Sequence, residues 1–139
     1  MSARVSNVGR IDFTSLDTRR VVMDAAGALT VFCHGGSRQS GWWDRPDAHS
    51  PLMTPVRLML MVSELGEAME AHRKGLRDEH LPDRPGLEVE LADLVIRAFD
   101  MAGGQGLDLA GAIADKLAHN QHRADHRLDE RAKPGGKAY

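Results

Sequence analysis

The chain has 139 residues, of which 42% are hydrophobic and 27% charged, and its formal net charge is −2. That length suits a single domain with enough apolar content for a packed core, which argues against wholesale disorder. A near-neutral balance also argues against a protein held on nucleic acid by bulk attraction to phosphates. The single cysteine, Cys33, excludes an intramolecular disulfide or a cysteine-built zinc site and fits a reducing compartment. The longest unbroken apolar run, Leu58-Met59-Leu60-Met61-Val62, is far below the ~20 residues that a membrane span needs. Near Met1, the residues Arg4, Arg10 and Asp12 interrupt the chain with no apolar stretch behind them, so no signal peptide is expected and the cytoplasm is the default compartment.

Aromatic residues are only 4% and β-branched residues never alternate over a long stretch, so the expectation is all-α. An N-terminal arm, residues 1–13, leads to a first helix beginning after Thr14 or Ser15, where Thr14 and Asp17 resemble a capping box. Val22, Ala25, Ala26, Leu29, Phe32 and Cys33 give that helix one apolar face, and Gly35-Gly36 are expected to stop it. A polar loop with Trp42 and Trp43 follows. Thr54-Pro55 marks the next start, a cap residue followed by proline at the first helical position. The core stripe of this second helix is Leu58, Met61, Val62, Leu65, Ala68 and Met69, and Gly75 ends it. Pro82, Pro85 and several charges make 76–86 a surface loop. The third helix is expected over Leu87–Met101, burying Leu87, Leu91, Leu94, Val95 and Ala98, with Gly103-Gly104 closing it. Asp108 reads as the N-cap of a fourth helix reaching about Arg123, and residues 127–139 form a charged, glycine-rich tail that is expected to be mobile. Four helices with short connections imply one domain, an antiparallel four-helix bundle.

Two words in this pattern carry chemistry. The second helix reads Glu64-Leu65-Gly66-Glu67 and the third Glu90-Leu91-Ala92-Asp93, each of the form acid, leucine, small residue, acid. At about 100° per residue the two acids of a word lie within about 60° of each other on one helix edge. With Leu65 and Leu91 facing the core, both helices present that edge in the same relation to it, and two such helices side by side converge four carboxylates. A pair of carboxylates about 5 Å apart repels by roughly 3 kcal/mol at an effective dielectric of ~20, so the cluster requires protonation or a cation. Oxygen-only donors suit Mg²⁺, Mn²⁺ or Ca²⁺ rather than zinc or copper, and Mg²⁺ typically joins a few carboxylates to substrate phosphates. Either word alone would ordinarily mark a solvated face. Their recurrence on adjacent helices, with Ala68 and Leu94 rather than a cation four residues after Glu64 and Glu90, favours a site. A di-iron bundle would need Glu-x-x-His, and no histidine has a glutamate three residues before it.

Lys116, Asn120 and Arg123 fall within about 60° of one another on the fourth helix, where cations and a directional amide suit phosphate oxygens as readily as a plain polar face. Arg97, one turn beyond Asp93, is placed to touch phosphate or to pair with an acid. Trp42 and Trp43 suit packing more than base stacking, though Trp43 is kept as a substrate-contact candidate. His119, His122 and His126 read as exposed, and Met53, Met59, Met61 and Met69 as core or interface filling.

Together, Glu64-x-x-Glu67, the intervening stretch 68–89, Glu90-x-x-Asp93 and Lys116-x-x-x-Asn120-x-x-Arg123, with Gly41-Trp42-Trp43-Asp44 before them, resemble MazG-like all-α nucleoside triphosphate pyrophosphohydrolases over about Gly41 to Arg123. The resemblance implies hydrolysis between the α- and β-phosphates to a nucleoside monophosphate and pyrophosphate, with nucleotide-pool housecleaning as the role. It implies Mg²⁺, or Mn²⁺ in its place, on Glu64, Glu67, Glu90 and Asp93, with Glu64 or Glu67 activating water, Glu67 preferred. It implies substrate contacts from Lys116, Asn120 and Arg123, and assembly as a homodimer or homotetramer. Ser63 stands where many relatives carry a further glutamate, and His126 is separated from Gly135-Gly136-Lys137, which in some relatives form one compact segment. The rival expectations are a phosphoribosyl-ATP pyrophosphohydrolase-like enzyme and a non-catalytic helical oligomer that binds a partner.

Overall fold

The apolar periodicity is realised as helix almost throughout. The computed structural model describes residues 9, 11–123 and 126–135, and its helices are α1 (Leu16–Gln39), α2 (Met53–Lys74), α3 (Gly86–Gln105), α4 (Leu109–His122) and a short α5 (Leu128–Arg131). Among the described residues there is no strand, only an isolated bridge between Arg77 and Pro85, so the chain is all-α. No described helix is long and apolar enough to cross a membrane. Residues 1–8, 10 and 136–139 of the expected arm and tail, with Gly136 and Lys137, lie outside the described residues. Within the expected tail, α5 occupies Leu128–Arg131.

Internal contacts divide the described chain into two compact units, one built from the residues up to Gly27 together with those from Leu109 onward, the other from Ala28–Asp108. In the first unit Ser15 caps α1, its Oγ accepting from the Thr18 amide at 3.2 Å, while Thr14 Oγ1 turns back to Asp12. The capping side chain is therefore Ser15, one place after the Thr14 expected from the sequence. An Arg19–Asp115 ion pair at 2.6 Å and a bond from the Phe13 amide to Gln121 Oε1 at 2.8 Å tie the start of α1 to α4. Ala26, Gly111 and Ala114 are buried in this unit.

The central unit rests on direct packing of α2 against α3. Gly75 and Gly106 close these helices in the left-handed conformation, where glycine has no Cβ to clash, and each backbone amide bonds back to its helix. Gly75 ends its helix as expected, whereas the two expected Gly-Gly stops fail. The first helix runs through Gly35-Gly36 to Gln39, and the third runs through Gly103-Gly104 to Gln105. A helical glycine costs only about 1 kcal/mol relative to alanine, and the second pair serves packing. A Cβ on Gly103 would sit 2.5 Å from the His34 Cβ, and one on Gly104 would sit 2.0 Å from the nearest atom of the Trp43 ring.

The expected core stripe also moves. Leu65 is 48% exposed and Leu91 44%, and Leu58, Val62, Met69 and Val95 are exposed as well. On α2 the buried positions are Glu64, Ala68 and Ala71, a face set about 100° or more from the leucine stripe. Small residues let the two helices approach closely. The large apolar side chains of α2 are thereby left on the outside of the isolated chain.

Candidate metal centre and adjoining cavity

That rotation of α2 places an acid, rather than a leucine, in the interior. Glu64 is 6% exposed and is the only buried charged residue among those described. Across from it, α3 contributes Glu90 and Asp93, both half-buried. One carboxylate oxygen from each of Glu64, Glu90 and Asp93 lies within 4.8 Å of the others. Glu67, the fourth expected member, is exposed and stands outside this group of three. Its negative charge nevertheless reaches Glu90. Burial first, then Glu67, then hydrogen bonding to Glu64 and the charges of Glu64 and Asp93 push the Glu90 carboxyl above its ordinary range.

Arg97 supplies the cation of this corner. Its Nε donates to Glu64 Oε1 at 2.7 Å, so of the two readings of Arg97 the structure has the pairing with an acid. One guanidinium facing three clustered carboxylates leaves an excess of negative charge. The donors are all oxygen, they converge, and one of them is buried. A set of this kind can hold a metal ion.

Beside the acids opens a cavity of about 910 Å³, within the usual upper range for small-molecule sites. Asp93 and Arg97 line it at the acidic end, and Trp43, Arg57 and Asp100 line it elsewhere. Trp43, 6% exposed, donates its Nε1 to Asp100 Oδ1 at 2.7 Å, and His34 Nδ1 approaches the same oxygen at 3.0 Å. A carboxylate oxygen only accepts, so His34 bonds it as the Nδ1–H form. The His34 ring meets Trp43 edge-on at 5.1 Å, and the Arg57 guanidinium lies 3.9 Å above the indole centre while bonding the Ala48 carbonyl. Trp43 thus joins packing and cavity wall in one side chain, whereas Trp42 also lines the cavity but is exposed.

His34, Arg57 and Asp100 are absent from the residues expected on sequence grounds. A tryptophan N–H that needs a partner when buried was the one available signal for Asp100, and it does not say which acid supplies the oxygen. Lys116, Asn120 and Arg123 belong to the other unit. Lys116 is exposed, Asn120 is half-buried with its Oδ1 lacking a hydrogen-bond partner among the described residues, and Arg123 is half-buried just past α4.

Compared with known proteins, the chain gives no significant match to a family model, a curated protein or a solved structure.

Proposed function

We propose that this chain is a Mg²⁺-dependent nucleoside triphosphate pyrophosphohydrolase of the MazG-like type, cleaving the α–β phosphoanhydride bond to a nucleoside monophosphate and pyrophosphate. The observation that carries this reading is one cavity bounded by both Asp93 and Arg97 of the acidic corner and by the Trp43 and Arg57 wall. A flat aromatic group with an anionic tail is the ligand such a surface suits: an indole and a guanidinium beside the ring, cations and oxygen donors beside the phosphates.

Glu64, Glu90 and Asp93 would hold the ion, and their oxygen-only set favours Mg²⁺ or Mn²⁺. A bound divalent ion supplies charge neutralisation at non-bridging phosphate oxygens. Glu67 is the carboxylate left over from the group of three, next to it and accessible to solvent. It orients a water and accepts its proton as the water oxygen bonds to phosphorus and the bridging P–O bond breaks, with pyrophosphate departing. Lys116, Asn120 and Arg123 carry over from the resemblance as phosphate contacts.

The working form is a homodimer with antiparallel four-helix packing. Leu58, Val62, Leu65 and Met69 on α2 are all exposed at spacings of four, three and four, a continuous apolar stripe that a second copy would cover. The test is pyrophosphate release from a panel of nucleoside triphosphates and phosphoribosyl-ATP, with and without Mg²⁺. Mg²⁺-dependent release from nucleoside triphosphates supports the reading. Release from phosphoribosyl-ATP alone reassigns the substrate, and an inert panel with a nucleotide still bound reassigns the chain to a non-catalytic binding module.

A further inference from the structure

We propose that Arg97 is a resident counter-cation of the acidic corner: it holds Glu64 in place while no divalent ion is bound, yields Glu64 to the incoming ion, and is thereby released toward an anionic ligand in the cavity. This rests on the reading that the corner takes a divalent cation.

The argument starts from Glu64. A carboxylate buried this deeply is destabilising unless it is paired and hydrogen-bonded, and two further carboxylates lie close by. Arg97 provides both the charge and the bond through Nε at 2.7 Å. The contact is to Glu64 Oε1, on one of the three carboxylates that converge, so the guanidinium and a metal ion compete for the same ligand. A divalent ion brings twice the charge in a smaller volume and engages all three carboxylates, where Arg97 bonds one.

Release of Arg97 is mechanically simple. Its side chain is 43% exposed, so letting go of Glu64 breaks one ion pair at a side chain that solvent already reaches. It also lines the cavity already, four residues beyond Asp93 on the same helix. A freed guanidinium there has five donors in a planar fork suited to phosphate oxygens. Metal loading and readiness for an anion are therefore one event at this corner.

The test uses Mg²⁺ alone, without nucleotide. In the wild-type protein the Nε–H resonance of Arg97 is followed by ¹H–¹⁵N NMR, assigned by its absence in Arg97→Lys, and Mg²⁺ affinity is measured by calorimetry for wild type and Arg97→Gln. The expected results are loss or displacement of that resonance in step with Mg²⁺ saturation, and Mg²⁺ binding about 2–5-fold tighter in Arg97→Gln, the size expected when an ion pair with one half-exposed partner no longer competes. An unmoved resonance at saturating Mg²⁺, with equal or weaker binding by Arg97→Gln, overturns the exchange and leaves the metal centre standing. Absence of Mg²⁺ binding in both proteins overturns the metal centre and the exchange with it.

Discussion

The cavity joins two carboxylate environments of opposite character. At the aromatic end a single acid, Asp100, is met by two donors on one oxygen, Trp43 Nε1 and His34 Nδ1, and the indole is covered by Arg57. At the acidic end three acids converge, one guanidinium bonds Glu64 alone among them, and Glu90 is pushed toward holding its proton. The first environment is satisfied by the chain itself and contributes to its stability. The second keeps an excess of negative charge. On the proposed reading, substitutions at the two ends should separate stability from activity.

The largest separation is expected from Asp93→Asn and Glu90→Gln. Each should lower Mg²⁺-dependent pyrophosphate release by at least about 100-fold, since even groups behind metal ligands typically matter by 10–100-fold, while the metal-free protein melts at the same temperature or higher because a repelling charge is gone. Glu67→Gln tests the division of labour within the acids. A general base contributes about 10²–10⁴-fold, so turnover should fall by that range while calorimetric Mg²⁺ affinity stays within about 3-fold of wild type. If Mg²⁺ affinity falls with turnover, Glu67 is a ligand instead.

At the aromatic end the pattern should invert. Trp43→Ala should lower unfolding free energy by about 3–5 kcal/mol in denaturant, and Asp100→Ala by about 1–3 kcal/mol, because it leaves two donors without their acceptor. Equal losses of stability from Asp100→Ala and Asp93→Ala would erase the contrast.

The smallest effect is a pH dependence. Folded Glu90 holds its proton more tightly than the unfolded chain does, so its contribution to metal-free stability is fully present below the ordinary value of 4.5 and lost as pH rises through the elevated folded value. Thermal melts of the metal-free protein should show this decline upward from about pH 4.5, flattened in Glu90→Gln. Saturating Mg²⁺ should reverse the slope, since the ion takes the deprotonated carboxylate.

Much of this arrangement is legible in the sequence, and the rest is hidden for identifiable reasons. The four long helices follow from apolar spacing, and the start near Ser15 and the end at Gly75 follow from local chain chemistry. By contrast, α2 begins at Met53 after Leu52, with no side-chain cap, so the expected cap Thr54 lies inside the helix and accepts a bond from Gln105 instead. The two acidic words predict convergence, and three of their four carboxylates do converge. The rotation of each helix about its own axis is not local information. Glu64 with Ala68 and Ala71, and Leu58 with Val62 and Leu65, are both regular stripes on α2, and hydrophobicity alone selects the leucines as the interior. The structure buries the small residues against α3 instead, and the same turn of the helix sets Glu64 inside and Glu67 outside. Equal words thus contribute unequally, one acid from α2 and two from α3. Asp100 is invisible for a different reason: its partners His34 and Trp43 are over fifty residues away, and nothing in the spacing selects it from the other acids.

Gly104 links the aromatic wall to the chain's capacity to change. Because the Trp43 ring fills the space that a methyl group at 104 would need, the two positions form one steric unit. A descendant of this chain that acquires even alanine at 104 must shrink or displace the indole, and one that loses the indole frees 104 to grow. Positions 43 and 104 are therefore expected to vary together, with bulk exchanged between the loop and α3, and that exchange would resize the aromatic end while the acids at 64, 90 and 93 stay as they are.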